Sequence, residues 1–156
     1  MRKNFKIYAA YASNMSLQQM AQRCPFARVI GVGELEDYKL TFRGIRKGIA
    51  TIEPCQGTSI PVVLWRITEK CEKALDRFED CPKVYRKEQV TIKFQNHIVE
   101  AMVYVMTDKY CNFLSKPTPY YIEMIQQAYD DHGIIRDGLF NAVQDVYREL
   151  AIRKNA

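Results

Sequence analysis

Apolar residues crowd the first part of the chain, FKIYAAYA at residues 5–12, as in a buried strand. A turn-forming cluster follows, Ser13-Asn14-Met15-Ser16. Ser16 and Gln19 fit a capping box, in which the hydroxyl and the amide each satisfy a free backbone N–H. A helix is therefore predicted over residues 17–23, closed by Cys24-Pro25. Between residues 27 and 42 the text alternates: Val29, Gly31, Gly33, Leu35, then Tyr38, Leu40 and Phe42. That predicts one or two half-buried strands, broken near Asp37. Residues 49–52 and 60–67 predict further strands, separated by a turn at 54–57. Thr68 can cap a second helix, whose Ala74, Leu75 and Phe78 share a face and which Asp80-Cys81-Pro82 ends.

Residues 85–94 and 98–106 alternate on either side of Gln95-Asn96-His97 and predict a hairpin. The tail is helical. Tyr121, Ile122, Ile125, Ala128 and Tyr129 lie at helical spacing up to Gly133, and Leu139, Phe140, Val143, Val146, Tyr147 and Leu150 make a second stripe. Such stripes face a core far more often than a cofactor. Strands come first, with helices inserted and appended, so the fold class is α+β with a sheet curled or closed around its core. No repeat and no linker interrupts the 156 residues, which are expected to form a single domain, 1–156.

Composition narrows the functional classes. The net charge of +5 is mild, and its closest basic clusters (Arg43, Arg46, Lys47 and Lys83, Arg86, Lys87) are short, so no nucleic-acid partner is expected. A basic RNA-binding protein is the reading that a sharp salt dependence would support. Five cysteines at long, irregular gaps, without a CxxC pair and with only His97 and His132 beside them, give no zinc-ligand spacing. No metal and no cofactor are expected, and the thiols read as reduced and mostly buried. The apolar stretch near the N-terminus is too short and Tyr-interrupted for a signal peptide, and no apolar run approaches bilayer-spanning length. A cytoplasmic protein without membrane association is expected, as a monomer or homodimer.

Two segments carry candidate chemistry. At Tyr11-Ala12-Ser13-Asn14 a strand gives way to a helix start, whose free N–H groups and positive dipole end suit an anion; an ordinary capped turn is the alternative. The second is Leu75-Asp76-Arg77-Phe78-Glu79-Asp80. Acids at a helix C-terminus oppose the dipole, which hints at a task for one of them. Asp76 and Asp80 share a face at i, i+4, whereas Glu79 points elsewhere.

Eight segments then occur in a familiar order: YASNM (11–15), RCP (23–25), GVGELEDYKLTF (31–42), GIATI (48–52), VVLW (62–65), LDRFEDCPKVY (75–85), AMVYVM (101–106) and PTPYY (117–121). In that order they resemble the gamma-glutamylcyclotransferase-like family, from about residue 7 to 133. The resemblance implies a small mixed β-barrel or curled sheet with flanking helices. It implies Glu79 as the catalytic acid, a substrate loop over Tyr8, Ala9, Ala10, Tyr11, Ala12 and Ser13, and Tyr121 in the substrate pocket. The chemistry implied is release of 5-oxoproline and a free amine or amino acid from a small gamma-glutamyl substrate. The substrate carboxylate docks on the N–H groups of residues 11–14, and Glu79 acts as base and then acid with a pKa raised by partial burial. No metal takes part.

The family's turn glycine is Ala12 here, the glycine before its V-L-W strand end is Val62, and Ala128 stands where its helix often has Gly. An alanine at position 12 narrows the pocket, and costs about 1 kcal/mol where φ is positive. The alternative to an enzyme is a family member altered in catalysis that binds a small molecule; the retained Glu79 argues against it.

Overall fold

The computed structural model describes residues 4–154. Five strands close into a barrel: β1 (Phe5–Ala10), β2 (Arg28–Arg43), β3 (Ile49–Thr68), β4 (Tyr85–Phe94) and β5 (His97–Met106), in the order β1-β3-β2-β4-β5. All neighbouring pairs are antiparallel except the closure, where β1 runs parallel to β5 at Tyr8 opposite Met102. Five helices flank it: α1 (Leu17–Arg23), α2 (Glu69–Phe78), α3 (Asp108–Cys111), α4 (Pro119–Asp131) and α5 (Asp137–Lys154). The expected α+β barrel with flanking helices is the fold found. No helix of the described residues is long and apolar enough to cross a membrane.

The core is the barrel interior and the seams under the helices. Phe42, Ile52, Leu64, Ile67, Ile92, Val103, Leu75 and Ile125 are fully buried there. The last six residues of β5, Ala101 to Met106, are all buried, because both faces of that strand are covered. On its outer side the Lys87 ammonium reaches Glu72 at 2.8 Å and Asp76 at 3.0 Å, tying β4 to α2.

Several local readings change. β1 stops at Ala10 rather than residue 12, where a short 3-10 turn (Ser13–Met15) takes over. The two strands expected at 49–52 and 60–67 are one, and the break near Asp37 does not split β2. Instead Glu36 pairs with Ser59 and Tyr38 with Pro54, so residues 55–58 bulge opposite Asp37 alone. Asp37 (φ 64°) and Gly57 (φ 86°) take up the kink, and the Gly57 N–H donates to Asp37 Oδ1 at 3.0 Å. The β4–β5 turn is Gln95-Asn96, both at positive φ, the two-residue turn that matches strand twist.

Only half of the capping box forms. Ser16 Oγ accepts from the Gln19 N–H at 3.1 Å, but the Gln19 amide donates to Met124 Sδ at 3.4 Å and not back to Ser16. Phe78 leaves the face it was assigned to: it is exposed, and the Arg23 guanidinium lies over its ring at 3.3 Å from the centroid. In α5 the buried face is Leu139, Ala142 and Val146, while Phe140 and Tyr147 are exposed. Of the five free thiols only Cys24 and Cys71 are buried; the other three are half-buried, so "mostly buried" overstates it.

Candidate active site

Glu79 sits at the C-cap of α2, its N–H still bonded to the Leu75 carbonyl at 2.8 Å. Asp80 follows in the left-handed region (φ 51°) and turns the chain away. The Glu79 side chain is thereby left under the turn that joins β1 to α1. There it faces a cavity lined by Tyr8, Tyr11, Ala12, Ser13, Asn14, Ala50, Tyr85, Tyr104 and Tyr121.

Asn14 is the hub. Its Nδ2 donates to Glu79 Oε1 at 3.2 Å and to the Tyr8 hydroxyl oxygen at 2.9 Å. Arg23 Nη1 donates to its Oδ1, and Trp65 Nε1 donates to its main-chain carbonyl at 2.9 Å. An amide that accepts from Arg23 must present its NH₂ to the carboxylate, so the guanidinium fixes which end of Asn14 meets Glu79.

Burial pushes the Glu79 carboxyl up to about 7, against the pull of the Arg23 charge and the Asn14 hydrogen bond. A carboxyl with that value is half-ionised near neutrality, which suits proton transfer in either direction. Arg23 is itself lowered by its partial burial.

Five tyrosines wall the cavity, and burial raises the pKa of every one of their hydroxyls. Tyr11 donates to the Tyr104 carbonyl at 2.6 Å, Tyr85 to the Ala50 carbonyl at 2.6 Å, and Tyr104 to Asp76 Oδ1 at 2.6 Å. Tyr8 and Tyr121 instead accept, from Asn14 and from the Ala50 N–H at 3.0 Å. Among the described residues neither of these two has an acceptor, so the proton of each hydroxyl is uncommitted. The N–H groups of Ala12, Ser13 and Asn14 likewise have no acceptor among the described residues, as expected at the start of a helical turn.

The cavity itself holds about 30 Å³, room for one water. It opens past Ser13, Glu79, Tyr85 and Tyr121, which line both spaces, into an outer recess of about 270 Å³ that adds Ile49, Phe78, Asp80 and Val84. The two spaces joined reach the low end of the ~300–1,000 Å³ usual for small-molecule sites.

Of the residues expected from sequence, Glu79, Tyr8, Tyr11, Ala12, Ser13 and Tyr121 are brought together. Ala9 and Ala10 are not: they are buried in β1, paired with Leu64 and Val63, and their methyls do not line the cavity. Ala12 has φ −141°, not the positive φ at which alanine was expected to be costly, and it lines the cavity. Val62 is buried in β3 opposite Gly33, and Ala128 is buried in α4. Asn14's side chain, Arg23, Ala50, Tyr85 and Tyr104 were given no role in the sequence reading. Each lies within a segment that carried the resemblance, and that was the available signal.

Comparison with known proteins decides the family. A family model described as gamma-glutamyl cyclotransferase, AIG2-like, matches residues 8–123. The chain belongs to this family. It is accordingly an enzyme of the cyclotransferase type. The Bos taurus protein gamma-glutamylcyclotransferase is 28% identical over 139 residues, covering 82% of this chain and 72% of its own. A solved gamma-glutamyl cyclotransferase superposes with a TM-score of 0.76 at 26% identity, over 83% of this chain and 81% of that one. A Homo sapiens protein solved as uncharacterised gives 0.76 at 27%, over 83% and 80%. In this cyclotransferase the family match includes the turn, Glu79 and Tyr121 alike.

Proposed function

We propose that the protein releases 5-oxoproline and a free amine or amino acid from a small gamma-glutamyl substrate, with Glu79 as the proton carrier. The observation that carries this reading is a carboxyl of pKa about 7 in a cavity that it shares with uncommitted N–H and hydroxyl donors.

The substrate α-carboxylate docks on the N–H groups of Ala12, Ser13 and Asn14, within reach of the Arg23 charge. Ionised Glu79 takes a proton from the α-ammonium. The freed nitrogen attacks the γ-carbonyl carbon, a five-membered ring closes, and negative charge develops on the carbonyl oxygen. Tyr8 and Tyr121, each with a spare hydroxyl proton, are the donors placed to stabilise that oxyanion. Glu79 gives its proton to the departing nitrogen as the old C–N bond breaks. The ring nitrogen's second proton leaves by the same carboxylate, so the amine departs as an ammonium ion. Holding the flexible glutamyl chain folded supplies much of the acceleration. The ring-forming part lies at the mouth that the two spaces share, beside Ser13, Glu79, Tyr85 and Tyr121, and the leaving amine lies in the outer recess. One domain in the cytoplasm, acting as a monomer or homodimer without cofactor, completes the proposal.

A family member that only binds is the weaker reading, because Glu79 is kept and faces the cavity, and Ala12 does not have the positive φ expected of the family's glycine. The test is incubation with gamma-glutamyl amines, gamma-glutamyl amino acids and glutathione, following 5-oxoproline by mass spectrometry. At least one simple gamma-glutamyl compound is expected to turn over, ahead of glutathione. Binding without turnover across the whole panel would overturn the proposal.

A further inference from the structure

A second concavity, of about 870 Å³, lies at the edge where β1 begins and β3 passes into α2. It shares no lining residue with the two spaces around Glu79. Its wall carries four cations (Arg28, Arg66, Lys70 and Lys73) and two phenylalanines, Phe5 and Phe26. The one acid there, Glu69, is 3.6 Å from Lys73. Among the described residues, Arg28, Arg66 and Lys70 form no ion pair with any carboxylate.

The strand register sharpens this. Arg28 of β2 and Arg66 of β3 are direct cross-strand partners, so both side chains leave the same face of the sheet. Like charges directly opposite one another destabilise a sheet. An anion lying between them removes that repulsion, and two guanidinium forks match phosphate oxygens better than any other pair of side chains. Arg66 is also held in place, stacked 3.6 Å from the centroid of the Phe5 ring, while Phe26 is 72% exposed with its ring open for stacking.

We propose that this groove binds a nucleoside diphosphate, with the diphosphate between Arg28, Arg66 and Lys70 and the base stacked on Phe26. Three cations without carboxylate partners match the about three negative charges of such a ligand at neutral pH. The exposed aromatic beside them favours a ligand with a planar ring over a bare phosphate. The groove is concave and bounded by nine residues, which suits one nucleotide better than a polynucleotide track.

The test is calorimetric titration of the full chain in phosphate-free buffer with ADP, adenosine, pyrophosphate and a single-stranded oligouridylate. ADP is expected to bind about tenfold or more tightly than adenosine or pyrophosphate. Arg28→Ser should weaken ADP about tenfold. Phe26→Ser should weaken ADP and leave pyrophosphate unchanged. Neither should alter cyclotransferase turnover, so the outcome is independent of the Glu79 reading. Pyrophosphate matching ADP, an oligouridylate binding far more tightly than ADP, or an unchanged ADP affinity in Arg28→Ser would each overturn the proposal. Should Arg28→Ser not fold, exposed Lys70→Gln carries the same test, with a loss of about threefold expected and no loss overturning it.

Discussion

Replacing Glu79 with glutamine should abolish activity and at the same time stabilise the fold, by an amount that depends on pH. The ordinary glutamate value of 4.5 rises in the fold to about 7, chiefly because burial disfavours the charged form. At about 1.4 kcal/mol per pH unit, the ionised carboxylate costs the folded state about 3 kcal/mol. The sign follows from the direction of the shift. Below pH 4.5 the group is protonated in both states and costs nothing. Between 4.5 and 7 the unfolded chain ionises while the fold keeps its proton, so stability falls, and above about 7 the whole penalty applies. Glutamine has nearly the same shape, still accepts from Asn14, and carries no charge to desolvate. Urea denaturation followed by far-UV circular dichroism should therefore show wild type and Glu79→Gln equal near pH 4. By pH 8 the variant should be the more stable by up to about 3 kcal/mol. A difference that stays constant with pH, or a variant less stable at pH 8, would refute a desolvated carboxyl at this position.

The pH dependence of kcat/KM should rise through about 7 as Glu79 ionises, and Arg23→Met should move that limb to higher pH, since Arg23 holds the carboxyl down; a limb near 4.5 in both proteins would contradict the assignment. Tyr121→Phe removes a donor proposed to meet the oxyanion, and kcat should fall about 100-fold. Loss of the Ala50 N–H acceptor should cost that variant only about 1 kcal/mol of stability; an unchanged kcat would free Tyr121 of the role. Ala12→Gly enlarges the cavity and loosens the turn. It should change KM or substrate range and lower stability by about 0.5–1 kcal/mol, measured by steady-state kinetics and chemical denaturation.

The fold was legible because its signals are local. Alternation marks β4 and much of β2, while β5 ends in an unbroken apolar run covered on both faces rather than the alternating strand expected; Ser16 and Thr68 cap their helices as read, and Gln95-Asn96 turns the hairpin. What was misread depends on partners far along the chain. A proline and a glycine at 54 and 57 spell a turn, yet they sit inside a strand because β2 runs alongside and Asp37 ties down the bulge. Phe78 looks like a core residue by spacing, but it lies at the last turn of α2, beyond the barrel wall, where Arg23 covers it.

The site divides in the same way. Glu79, the 11–13 turn and Tyr121 came with the ordered segments of the resemblance. Tyr104 reaches the cavity only because β5 closes the barrel against β1, with its ring edge-on to Tyr8 at 5.7 Å. Arg23 acts on Glu79 by its charge and by orienting Asn14, without lining the cavity, a relation that no spacing in the sequence encodes. Ala9 and Ala10 came with the substrate loop that the resemblance implies over residues 8–13; in the fold they are buried in β1, paired with Leu64 and Val63.

The central claim is that one buried carboxyl moves the protons of an intramolecular ring closure. The most direct measurement is 5-oxoproline released from a turned-over gamma-glutamyl compound by wild type and by Glu79→Gln, at equal concentrations of protein whose folding has been checked by circular dichroism. The account predicts no product above the uncatalysed rate from the variant. Product at the wild-type rate would contradict it.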